Sequence, residues 1–180
     1  MKKNKSIAII PAREGSKRIK KKNIKSFLNK PIILRTLETA LKSKCFDKIY
    51  VSTDSKKISK IASTKGVEIP YLRPKNLSGD YVTTLSVINH MIKFLLKRGE
   101  KFDYVCCIYP TAVFFRTKHL KSAFKTIKNK GLDYVFTATE FVHPIEKSFS
   151  IKNNRIEIPM KKKYLLTRTN KIKKKYHDAG

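Results

Sequence analysis

Arg13, Ser16, Lys17, Lys22 and Asn23 stand in the loop that follows the apolar run Ile7–Ile10. Six basic side chains fall in that loop: Arg13, Lys17, Arg18, Lys20, Lys21 and Lys22. Cations, a hydroxyl and an amide at the end of a buried strand suit a polyphosphate: the charges neutralise it, and Gly15 lets backbone N–H groups approach it. The spacing is neither G-x-x-x-x-G-K-[ST] nor G-x-G-x-x-G, which disfavours a P-loop NTPase or a dinucleotide fold. On composition alone, a solvated basic loop is the competing reading.

The elements that must position this loop follow from the hydrophobic pattern. Short apolar runs at 6–10, 48–52, 67–71, 103–109 and 133–139 read as strands. Helical periodicity fills the gaps. One helix opens at Pro31 and runs to about Lys44, one is capped by Asp54 and stopped by Gly66, one spans about Tyr81 to Arg98, and one is capped by Thr117 and ends near Gly131. Such β-α alternation predicts an open, mostly parallel Rossmann-like sheet flanked by helices, with ligands at the carboxyl ends of the strands. Residues 148–158 alternate around Asn153–Asn154, a hairpin signal. Two lysine runs, 161–163 and 173–175, follow.

The chain has 180 residues, which suits one domain with a core of its own. No apolar run reaches the roughly 18 residues of a membrane span, and Pro11 and Arg13 cut short anything like a signal peptide. The expectation is a cytoplasmic protein with no membrane partner. A formal net charge of +29 points at first to nucleic acid, but the lysines are spread along the whole chain and far outnumber arginine, which fits that partner poorly. Cys45, Cys106 and Cys107 lack zinc-site spacing, and the last two read as buried, inert thiols.

The string PAREGSKRIKKKN at 11–23 resembles the loop of the CMP-nonulosonic acid synthetases, the CMP-sialic acid synthetase-like enzymes that activate nine-carbon sugar acids with CTP. The resemblance continues in order through VSTD at 51–54, LRPKNLSGD at 72–80 with Thr83 and Thr84, IYPTAVFFR at 108–116, HPI at 143–145, TR at 167–168 and YHDAG at 176–180. Tyr109 and the YHDAG ending are most similar to the pseudaminic acid cytidylyltransferase branch. Val113 departs from the pattern, which commonly has proline there.

The resemblance implies a nucleotide-diphospho-sugar transferase fold and a reaction of CTP with a nonulosonic acid, giving CMP-sugar and pyrophosphate for surface glycans or flagellin. It implies that Arg13, Ser16 and Lys17 hold the triphosphate, and that Lys22 neutralises charge at the α-phosphoryl, making Arg13 and Lys22 the catalytic pair. Asn23, with Thr83 or Thr84, reads the cytosine edge, and Arg73 and Asp80 shape the base pocket. Tyr109, Thr111, Arg168 and His177 face the sugar. Mg²⁺ is the implied cofactor, and the implied partners are CTP, the sugar acid and a second copy of the chain, with 141–170 as the dimer-contact insertion. The family's later aspartate pair has no counterpart here, which leaves Asp178 as a weak metal candidate and implies a single domain shortened at its C-terminal side. Two other readings stay open: a catalytically silent fragment of such an enzyme, and a basic nucleic-acid-binding protein.

Overall fold

The computed structural model describes residues 5–158 and 162–179. The expected YHDAG ending is therefore described to Ala179, and the lysine run at 161–163 from Lys162; Lys161 and Gly180 lie outside the described residues. The chain forms two compact units, one ending at Asp133 and the other starting at Tyr134.

In the first unit, β1 (Ser6–Pro11) is followed by a tight ribbon of β2 (Ser26–Phe27) and β3 (Lys30–Pro31), then by α1 (Ile32–Ser43), β4 (Lys48–Ser52), α2 (Lys56–Ser63), α3 (Thr84–Lys97), β5 (Tyr104–Cys107) and α4 (Thr117–Lys130). The parallel sheet has the order β4-β1-β5, with Ile9 level with Tyr50 on one side and Cys107 on the other. Alternation along β1 sends its side chains to two cores. Ala8 and Ile10 pack with Ile33, Leu37 and Val51 beneath α1 and α2. Ile7 and Ile9 pack with Tyr50, Met91 and Leu95 beneath α3. A parallel sheet covered on both faces is the expected arrangement.

Several local expectations are corrected. Residues 67–71 do not form a strand of their own; Glu68 makes an isolated bridge to Tyr50 of β4, and Leu72, just after them, makes another to Thr53. Ser55, not Asp54, caps α2 by accepting from the Ile58 N–H, which leaves the Asp54 carboxylate for another partner. Helix α3 starts at Thr84, and Leu85 is exposed while Val87 takes the buried position. Arg116 rather than Thr117 holds the cap of α4, where His119 Nδ1 accepts from the Arg116 N–H. Cys107 is exposed rather than buried; Cys106 is half-buried, and burial pushes its thiol up to about 12.

In the second unit, β6 (Ala138–Glu140) pairs antiparallel with β9 (Tyr176–Asp178), so 133–139 contributes to this pair rather than to the parallel sheet. Between them lie the hairpin of β7 (Ser150–Lys152) and β8 (Arg155–Glu157), and α5 (Lys162–Leu166). Asn153 and Asn154 both take left-handed backbone, φ 50° and 57°, which is the two-residue turn their types predicted. No described helix is long and apolar enough to cross a membrane.

Candidate active site

The loop after β1 leaves the sheet beside the C-terminal end of β4, where the Ala12 N–H donates to the Ser52 carbonyl at 2.8 Å. It then circles back. Lys21 adopts left-handed backbone (φ 53°), which starts a 3₁₀ turn at Lys22 and brings Asn23 inward, 5% exposed. The Asn23 amide nitrogen donates to the Arg13 carbonyl at 2.8 Å and so closes the loop on itself. Because a carbonyl can only accept, this bond fixes which way the amide points. Asn23 Oδ1 is buried with no hydrogen-bond partner.

Arg73 approaches from the other side. Its N–H donates to the Thr53 carbonyl at 2.7 Å, anchoring it beyond the end of β4. Its side chain is buried, and Nε and Nη2 have no hydrogen-bond partner; the nearest carboxylate oxygen, Asp54 Oδ1, lies 3.9 Å from Nη2. Burial pushes the guanidinium below its ordinary value, and the Asp54 charge opposes that shift. By sequence Asp54 is expected to cap α2, but its carboxylate is engaged elsewhere. It accepts from the Glu14 N–H at 2.8 Å and so ties the loop after β1 to the end of β4. Its place in the VSTD string was the available signal.

These groups surround a pocket of about 680 Å³ at the carboxyl ends of β1 and β5. Arg13, Ser16, Lys17, Lys22 and Asn23 line it from the loop after β1, and Arg73, Asp80 and Thr84 line it from later segments. Gly15 lines it too, and a Cβ there would meet nothing within 4 Å, so that side is open to a ligand. Tyr109, Pro110 and Thr111 supply the end nearest β5. The Tyr109 hydroxyl donates to Thr84 Oγ1 at 3.4 Å. Thr36, which the sequence reading also passed over, is fully buried on α1 and donates to the Pro110 carbonyl at 2.9 Å, holding this turn in place.

The other candidates are placed differently. Thr83 caps α3, accepting from the Ser86 N–H at 3.1 Å, and Thr84 is the member of the pair that lines the pocket. Asp80 lies at the pocket, but its carboxylate takes Arg13 Nη1 at 2.7 Å and Lys17 Nζ at 2.5 Å. Arg168, His177 and Asp178 belong to the second unit. Arg168 caps a 3₁₀ turn at Thr169–Lys171 and is exposed. His177 Nδ1 donates to the Asp178 carbonyl at 2.9 Å, and its ring leans on Phe141. His90 Nδ1 meets the Tyr71 hydroxyl at 2.7 Å.

A pocket that joins a cation-rich loop to two buried polar groups without hydrogen-bond partners, Asn23 Oδ1 and the Arg73 guanidinium, can hold a nucleotide. The comparisons agree. Residues 7–179 match the cytidylyltransferase family. The chain is 39% identical over 176 residues to the pseudaminic acid cytidylyltransferase of Campylobacter jejuni, covering 98% of this chain and 76% of that protein. It is 38% identical over 132 residues to the CMP-N,N'-diacetyllegionaminic acid synthase of Legionella pneumophila, covering 72% of this chain and 56% of that one. Among solved structures, CMP:2-keto-3-deoxy-manno-octonic acid synthetase complexed with CTP shares the fold, with a TM-score of 0.61 and 15% identity over 91% of this chain and 69% of that chain. The chain belongs to the cytidylyltransferase family.

Proposed function

We propose that the protein activates a nonulosonic acid, pseudaminic acid first among them, by transferring CMP from CTP. The observation that carries the base assignment is the pair of unsatisfied groups in one pocket, the Asn23 Oδ1 acceptor and the Arg73 Nε and Nη2 donors. Cytosine offers an exocyclic amino donor with a ring nitrogen and a carbonyl as acceptors. Asn23 takes the amino group and Arg73 the acceptors. Uracil would set a carbonyl against Asn23 and an N–H against Arg73, leaving buried groups unmatched. The C. jejuni relative, named for pseudaminic acid, supports the choice of sugar.

In the reaction, the anomeric oxygen of the sugar acid bonds to the α-phosphorus of CTP, and the bond from that phosphorus to the bridging oxygen breaks, releasing pyrophosphate. Arg13, Ser16 and Lys17 hold the triphosphate. Lys22 balances charge at the α-phosphoryl, where fixed cations act most strongly on the transition state. Tyr109 and Thr111 present hydroxyls to the sugar. The proton of the anomeric hydroxyl passes to solvent as the new bond forms; Arg168 and His177, which belong to the second unit, are given no part in this step.

Mg²⁺ is the metal such chemistry calls for, typically on one or two carboxylates plus phosphates. The described residues do not fit it unaided. Asp54 and Asp80 are both held by cations or backbone N–H groups, and no three His, Cys, Asp or Glu side chains converge among the described residues. No step is therefore drawn through a metal. A second copy of the chain is the proposed partner of the β7–β8 hairpin, whose facing Ile151 and Ile156 are 69% and 63% exposed. A cytoplasmic setting is part of the same proposal, since the reaction draws on CTP.

The test is pyrophosphate release from CTP, UTP and ATP, with Mg²⁺ and a panel of nonulosonic acids. Release with CTP and pseudaminic acid is expected. No CTP-dependent release with any acid, together with no thermal shift by CTP, overturns the reading. Polyanion binding that CTP leaves unchanged would favour a nucleic-acid partner instead.

A further inference from the structure

Asp80 meets the pocket as an anion in a place prepared for anions. Its two carboxylate oxygens are divided between the two loop cations, Oδ1 to Arg13 and Oδ2 to Lys17. These cations come from one segment and the carboxylate from another, 67 residues further along the chain in the case of Arg13. The carboxylate rides on the turn between a 3₁₀ segment, Lys75–Leu77, and the Thr83 cap of α3, and it is about one-third exposed. Lys17 is 84% exposed, and among the described residues its ion pair is with Asp80, so the carboxylate occupies a cation that otherwise faces open solvent beside the pocket. Lys17 first and Arg13 second hold the carboxyl below its ordinary range, so Asp80 is charged at any physiological pH.

We propose that Asp80 is a positioning residue that acts through Arg13 and Lys17 as an internal counter-anion: the triphosphate displaces it on binding, and it reclaims both cations as pyrophosphate departs. The proposal rests on the CTP-dependent reading above. A cation pair held by its own carboxylate is open to a ligand only for the fraction of time the carboxylate is away, and apparent affinity falls by that fraction. A carboxylate present nine-tenths of the time weakens anion binding tenfold. The return of Asp80 then shortens the stay of the leaving group, and strongly bound pyrophosphate would otherwise stall turnover on so basic a loop.

The experiment is calorimetric titration of the full chain with inorganic pyrophosphate, wild type against Asp80→Asn and Asp80→Ala. Pyrophosphate carries neither base nor sugar, so a wrong assignment of either leaves this result intact and shows only in the turnover assay. The expected result is binding about tenfold tighter in both variants, with unfolding temperature held and inhibition of turnover by pyrophosphate strengthened to the same degree. A carboxylate that merely ordered the loop would weaken binding when removed. Weaker or unchanged affinity in either folded variant, or no measurable pyrophosphate binding by any form, overturns the proposal.

Discussion

Asn23 commits its amide nitrogen to the Arg13 carbonyl, and only its oxygen remains to meet a base. Asn23→Ala should therefore erode the preference for CTP over UTP by about ten- to hundredfold, the cost of one unmatched buried group. Competitive turnover of the two nucleotides measures this, and an undiminished preference would move base reading elsewhere. Arg13→Ala and Lys22→Ala should each lower kcat/KM by about ten- to hundredfold, since hydrogen bonds to charged groups contribute about 1.5–3 kcal/mol. Their unfolding temperatures should stay near wild type, because both side chains reach the pocket rather than the core. Parallel rate and melting measurements separate those outcomes. The residue types of this candidate site were legible in the sequence, because Arg13, Ser16, Lys17, Lys22 and Asn23 cluster in one loop after an apolar run, and the structure brings all five to one pocket. What was not legible is who holds whom. Glu14 meets Asp54 and Arg13 meets Asp80 only because the sheet places β1 beside β4 and folds a later turn over both.

At the scale of elements, α1 works as the back wall of the site. Thr36 reaches from it to the Pro110 carbonyl, and Glu38, two residues on, receives Lys65 at 2.7 Å and Lys30 at 3.0 Å, joining the end of α2 and the β2–β3 ribbon to the helix. Thr36→Val keeps the shape and removes the donor, so it should cost about 1–3 kcal/mol in denaturant unfolding and raise KM for the sugar acid. Glu38 is held down to about 2, by Lys65 first and Lys30 second. A carboxyl lowered on folding adds stability that is complete above its ordinary value and is lost as pH falls toward the folded one. Glu38→Gln should thus lose about 1 kcal/mol at neutral pH, a figure limited by the exposure of both lysines. The gap to wild type should shrink below about pH 4.5 and close near 2. Urea unfolding across that range checks it. The major helices and β1, β4 and β5 were legible from periodicity. The β2–β3 ribbon was not, because its turn sets Leu28 and Asn29 at positive φ, and leucine carries no turn signal. Residues 67–71 carried enough apolar character to read as a strand, but only Glu68 and Leu72 form bridges beside β4.

For the molecule as a whole, β-α alternation announced the parallel sheet, yet alternation cannot count compact units. Residues 133–139 read as one more strand of the same series, and only the pairing of β6 with β9 assigns them to a second unit. The hairpin in that unit was legible because Asn153–Asn154 is a local signal that needs no distant partner. Charge is the other whole-molecule property. The net charge of +29 comes from basic residues spread along the whole sequence, and such dispersed charge acts on a ligand mainly before contact. An anion such as CTP is drawn toward a strongly cationic body through a field that salt screens over about 10 Å at 0.1 M. On the proposed reading, bound CTP depends on short contacts with Arg13, Lys17 and Lys22 that screening touches less. Raising salt from about 20 to 200 mM should therefore slow CTP association by about tenfold and change dissociation by less than about threefold. Stopped-flow binding with a fluorescent CTP analogue measures both rates. If the loss falls on dissociation instead, the dispersed lysines contribute no steering, and the salt dependence belongs to the pocket's own contacts.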